Sequence, residues 1–190
     1  MIWIRVFVVL FGVAIGAVIP LAPAGAAKIK SSTDRFNGVI QLTAPCKQRF
    51  FGGSYQLRAR VNPKTGAAEY VVFVRNEFFE SNRGSSFGAP QGGPNRAAYR
   101  HFYLAVDPDD REFEVLEGAQ SFEGCNTSFC YYEEDFAVEL PEDYLAVFAA
   151  TNMKLRAISR ARIAFDMEIP ADHVASLLAQ VAAVRAATGR

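Results

Sequence analysis

Cysteine and histidine are scarce in this chain: three cysteines and two histidines in 190 residues. Cys46, Cys125 and Cys130 are scattered, and His101 and His173 lie far apart. None has the close ligand spacing of a zinc site, so neither a metal nor another cofactor is expected. Three cysteines are also too few for a disulfide-dense scaffold. After residue 27 no apolar run is long enough to cross a hydrocarbon layer of roughly 30 Å, so the processed chain should not be held in a membrane. A net charge of one sign is missing too, since twenty Lys and Arg balance twenty Asp and Glu. Without a net basic surface, nucleic acid is not the expected partner.

The first 27 residues, MIWIRVFVVLFGVAIGAVIPLAPAGAA, have the layout of a secretory signal. Arg5 and the amino terminus supply positive charge, Ile2 to Ile19 form the apolar segment, and Ala24-Gly25-Ala26 offers small residues for processing. Cleavage after Ala26 or Ala27 is expected. The alternative is a retained anchor, which would make the protein a tethered structural component of the envelope. Pro20 and Pro23, followed by the small-residue run, favour removal. No lipidation signal accompanies the segment, because the first cysteine is Cys46. Residues 28–190 are then expected to form one exported globular domain, periplasmic or extracellular.

In an oxidising compartment Cys125 and Cys130 should close a small disulfide loop around Asn126-Thr127-Ser128-Phe129. Bridges that use Cys46 remain open alternatives. The neutral total hides segregated charge. Residues 28–100 hold twelve basic against four acidic residues, and residues 101–143 hold one against thirteen. Such segments either pair across a shared sheet or present an acidic face to a partner, and pairing is the expected outcome.

The chain reads as strands from Tyr55. Tyr55, Leu57, Ala59 and Val61 alternate with Gln56, Arg58 and Arg60, the period of a half-buried strand. Asn62-Pro63-Lys64-Thr65-Gly66 is a turn, and Tyr70 to Phe79 returns. Tyr99 to Val106 and Glu112 to Phe122 form a second hairpin around Asp107-Pro108-Asp109-Asp110. Tyr132, Phe136, Val138 and Leu140 mark a further strand. Two segments, Asp135 to Ala150 and Ala164 to Ala179, align without gaps at an offset of 29 residues. Each runs strand, proline, helix, with Pro141 and Pro170 suited to the first helical position and Asp143 and Asp172 to the first turn. Val174, Leu177, Leu178, Val181 and Val184 give the second helix one apolar stripe. Lys154, Arg156, Arg160 and Arg162 form a basic stripe, read as a solvated strand face. The expected fold is α+β: an antiparallel sheet of about five to seven strands in meander-like hairpins, with the carboxyl-terminal amphipathic helix and a shorter helix on one face.

Gly84-Ser85-Ser86-Phe87-Gly88 matches G-x-S-x-G, which would make Ser86 the nucleophile of a small hydrolase. Ala89-Pro90 and Gly92-Gly93-Pro94 follow, however, where a nucleophile elbow needs a helix. A non-catalytic role is therefore preferred. The stretch from Ser81 to Ala97 is long for a structureless connection, and such loops are often binding loops. Arg83, Phe87 and Arg96 are its candidate contacts for a protein, peptide or glycan partner. Phe50-Phe51-Gly52-Gly53 reads as core edge. Glu133, Glu134 and Asp135 lack an EF-hand pattern and read as a solvated charged edge.

Overall fold

The computed structural model of the chain describes residues 26–49, 52–81 and 99–189. Ten strands and two helices follow in the order β1 (Lys30–Thr33), β2 (Ile40–Thr43), β3 (Lys47–Gln48), β4 (Ser54–Val61), β5 (Ala68–Ser81), β6 (Phe102–Val106), β7 (Glu112–Cys125), β8 (Phe129–Leu140), α1 (Glu142–Val147), β9 (Met153–Ser159), β10 (Ala164–Ile169) and α2 (Ala171–Ala187). Every strand pair is antiparallel, and the sheet runs β1-β2-β4-β5-β8-β7-β6-β9-β10, with β3 beside the start of β4.

The α+β architecture and the carboxyl-terminal helix match the expectation, whereas ten strands exceed the expected five to seven. The excess has a physical origin. β1 is fully exposed Lys-Ser-Ser-Thr with no alternation to read, β2 has four residues and β3 two. Such pieces exist because the main chain of a neighbouring strand pairs with them, β2 with β1 and β4 with β2 and β3, not because their own side chains demand a strand. The span from Lys154 to Met167 also folds as a hairpin, turning at Arg160–Ile163.

The local signals elsewhere hold. In the turn after β4, Asn62 Oδ1 accepts the amides of Lys64 and Thr65, and Gly66 takes φ +73°. In the β6–β7 turn, Asp107 Oδ1 accepts the amides of Asp109 and Arg111, both at 2.9 Å. Pro141 and Pro170 lie one position earlier than expected. They are the N-caps of α1 and α2, in extended conformation, with Asp143 and Asp172 in the first turns.

The inner residues of the strands share one core. Leu57, Ala59 and Val61 of β4, Tyr70, Val72 and Val74 of β5, and Phe136, Val138 and Leu140 of β8 are buried with Met153, Leu155, Phe165 and Met167 of β9 and β10. Phe102 of β6 stacks on Phe136 at 4.4 Å, and Phe165 meets both edge-on at 6.2 and 5.9 Å. Burial of each ring contributes roughly 1.5–3 kcal/mol, so this triad is a main tie between β6, β8 and β10. Val174, Leu177 and Val181 of α2 enter the same core beside β2 and β4. Arg185 pairs with Glu142 at 2.7 and 2.8 Å and donates from Nε to Gly66 O at 2.9 Å, joining α2, α1 and the β4–β5 turn. No helix among the described residues is long and apolar enough to cross a membrane.

Candidate binding surface

β5, β7 and β8 are the longest strands, and where β5 and β8 pair at their far ends they form a tip with two aromatic faces. On the inner side, Phe78 stacks on Tyr132 at 5.6 Å, and Tyr99 and Phe122 complete a small second core. On the outer side, Phe79 pairs with Tyr131 in the ladder, and Ser81 pairs with Phe129. The Phe79 ring lies 4.9 Å from Tyr131 and 6.5 Å from Phe129. These outer rings cover one another only in part, because Phe79 is 64% and Phe129 50% exposed.

Covalent and turn chemistry hold Phe129 in place. Cys125 and Cys130 face each other in the β7–β8 ladder and are disulfide-bonded, with Cα atoms 4.0 Å apart. Between them, Asn126 Oδ1 accepts the amides of Ser128 and Phe129, each at 2.8 Å. Cys46 is a free, exposed thiol.

Carboxylates border the aromatic patch. Glu77 of β5 sits directly opposite Glu133 of β8. Burial pushes the Glu133 carboxyl above its ordinary range, and Asp135, Glu77 and Glu123 push the same way against nearby Arg75. Burial likewise raises the Tyr131 phenol, reinforced by a hydrogen bond with Glu77 and by the charges of Glu133 and Glu123. Like charges facing across strands are unfavourable, and here three acids converge on one tyrosine. A cation placed among them would gain both carboxylates and ring faces.

The acidic run beside the disulfide is not the solvated edge expected. Glu134 is 3% exposed and accepts the main-chain N–H groups of Arg100 and His101 at 3.0 and 2.8 Å. Asp135 is 8% exposed and pairs with Arg75 Nε at 3.2 Å and Nη2 at 3.3 Å. The alternation of β8 turns Glu134 into the fold, and Arg75 covers its neighbour. Only Glu133 of this run contributes to the acidic rim. The two charge segments do meet across the β5–β8 ladder at Arg75, as pairing requires, but the rim of Glu77, Glu123 and Glu133 keeps excess negative charge.

Arg83, Phe87 and Arg96, and also Ser86, Phe50 and Phe51, lie outside the described residues. The chain nevertheless leaves for that stretch from Ser81, opposite Phe129, and comes back to Tyr99, which packs on Tyr132. Phe79, Phe129 and Tyr131 were not candidates from sequence alone. A signal for them exists: Phe78-Phe79 and Tyr131-Tyr132 are apolar on both parities, so one member of each pair must face outward. The basic stripe behaves as expected, with Lys154 and Arg156 exposed and Arg156 bound to Asp166 at 2.6 Å. Comparison of the chain with protein-family models, with curated proteins and with solved structures finds no match.

Proposed function

We propose that this chain is an exported, non-catalytic binding domain that docks a cationic segment of a protein or peptide partner on the tip of β5 and β8. The observation that carries the reading is the pair of exposed rings Phe79 and Phe129 packed with the half-buried Tyr131, which a rim of Glu77, Glu123 and Glu133 surrounds. Surface aromatics clustered this way are the usual anchors of interfaces, and the acidic rim selects Lys- or Arg-bearing partners. Export is supported by the signal-like residues 1–27 and by the Cys125–Cys130 bond, which persists in oxidising compartments. Arg83, Phe87 and Arg96 join the proposal from the sequence alone, since the stretch that holds them follows Ser81, the ladder partner of Phe129.

The test is site-specific photocrosslinking in the native compartment from positions 79 and 129, with position 33 on β1 as the distant control. The expected product is a partner crosslinked through a Lys- or Arg-rich segment. It should be lost in Glu77→Lys/Glu133→Lys and weakened by salt. Equal capture from position 33, or a product indifferent to charge reversal, would overturn the reading.

A further inference from the structure

β10 ends the sheet, and among the described residues its one strand partner is β9. The main-chain groups of Glu168 point away from β9, since both are engaged by the Tyr55 hydroxyl. That hydroxyl donates to Glu168 O and accepts from Glu168 N–H, each at 3.1 Å. Tyr55 thus does with one oxygen what an adjoining strand would do with its main chain. By the two-residue period, Asp166 and Ala164 turn their N–H and C=O to the same open side. Among the described residues no hydrogen bond outside the β9 ladder reaches them. A groove of about 740 Å³ runs from the Asp107–Asp110 turn past Arg156 of β9 and Asp166 of β10 to Arg49 and Tyr55 beside this edge.

We propose that the β10 edge receives an extended peptide of alternating basic and apolar residues, which adds as a further strand. β10 itself specifies that composition. A strand shows the same side chains to both of its neighbours, and the neighbour already in place is β9. There Lys154 faces Glu168 and Arg156 faces Asp166 on the outer side, while Met153, Leu155 and Ala157 fill the inner side. A strand on the opposite edge meets the same two acids outward and the inner residues Phe165 and Met167 of β10 inward, with the Arg49 guanidinium 4.1 Å above the Phe165 ring and the Tyr55 ring edge-on to it as its inner wall. Asp166 and Glu168 keep capacity for it, each making one side-chain partnership, with Arg156 and Asn152. Main-chain pairing supplies the affinity in this mode, and the alternate side chains supply the selectivity. The inference is independent of the β5–β8 tip.

The probe is a capped synthetic peptide with the sequence of residues 153–159, Met-Lys-Leu-Arg-Ala-Ile-Ser, added to the mature protein. Binding is read by fluorescence anisotropy and by amide exchange. The expected result is binding that slows exchange at Asp166 and Ala164. A peptide with Glu for Lys and Arg should bind at least about tenfold more weakly, as should one N-methylated on the edge facing β10. Asp166→Pro removes the outward N–H without touching the β9 ladder and should lose about tenfold. Should that variant not fold, Asp166→Lys provides the same test through charge. Tyr55→Phe frees Glu168 and should tighten binding several-fold, a gain that a purely structural role for Tyr55 does not give. Equal binding of the Glu peptide, unchanged exchange at Asp166, or looser binding by Tyr55→Phe would overturn the proposal. So would sedimentation showing a dimer that already protects Asp166, which would make a second copy the occupant. Tip variants such as Phe79→Ser should leave this binding unchanged, which separates its failure from failure of the tip reading.

Discussion

Glu134 of β8 accepts the main-chain N–H of His101 at 2.8 Å across 33 residues of sequence, and the amide of Arg100 at 3.0 Å. His101 has φ +52°, a conformation costly for a side chain other than glycine. The buried carboxylate therefore both satisfies two amides and holds the chain in an unfavourable turn as it enters β6.

Glu134→Gln keeps the size but turns one acceptor into a donor facing an N–H. Hydrogen bonds to charged groups contribute about 1.5–3 kcal/mol, so the variant should lose roughly 2–3 kcal/mol. Urea denaturation checks this, and an unchanged midpoint at constant slope would show that the contact contributes little.

At Gly118, in the irregular part of the β7–β8 ladder, an added Cβ would lie 2.7 Å from the Asp135 carbonyl oxygen and 2.9 Å from its carbon. Main chain must move to admit it, so Gly118→Ala should cost roughly 1–3 kcal/mol. Thermal unfolding of the variant measures it; a melting temperature at or above that of the parent would refute the close approach.

Adjacent residues at the tip should respond in opposite ways. Phe79→Ser and Phe129→Ser act on exposed rings and should stay within about 0.5 kcal/mol of the parent in stability. Phe78→Ala and Tyr132→Ala empty the inner cluster and should lose about 3–5 kcal/mol. If Phe79→Ser proved as damaging as Phe78→Ala, the outer patch would be a structural layer and not a docking surface.

Glu133 gives a pH dependence of definite sign. Its folded carboxyl titrates above its unfolded value, first because of burial and then because of Asp135, Glu77 and Glu123. The folded state thus holds the proton more tightly, and ionisation at neutral pH costs stability that acidification returns as pH falls through the raised value. Glu133→Gln should be the more stable protein at pH 7, with the advantage fading towards pH 4. Glu142 has the opposite sign, since the Arg185 hydrogen bond lowers its carboxyl. Its contribution is present above the ordinary carboxylate range and is lost as pH falls through the lowered value. Glu142→Gln should therefore weaken the protein at neutral pH and converge with the parent in acid. Denaturation midpoints between pH 3 and pH 8 distinguish the two slopes.

Opening the Cys125–Cys130 loop by Cys125→Ser/Cys130→Ser should cost about 2 kcal/mol by loop-closure entropy, the low end expected for so short a loop. Amide exchange should rise first at Phe129 and Tyr131, and tip binding should weaken with it. Uniform protection in the variant would mean that Asn126 and the ladder alone hold the turn.

What the sequence determined by itself was local. Alternation marked β4, β5, β7 and β8, Asn62 and Asp107 marked their turns, each proline marked the junction from strand to helix, and the CNTSFC spacing marked the bond between Cys125 and Cys130. These signals lie within a few residues of the structure they specify. Tertiary structure decided everything that depends on which strands become neighbours. β5 pairs with β8 and β6 with β9, across intervening elements, while β2 and β3 join the sheet through β4 and β1 joins through β2, which together bring it to ten strands. The same register turned Phe79 and Tyr131 outward and Phe78 and Tyr132 inward, a choice that an apolar pair cannot make alone. It also buried Glu134 where composition suggested a solvated edge, and left β10 with β9 as its one strand partner among the described residues. Register is a relation between distant segments, and both proposed binding surfaces follow from it.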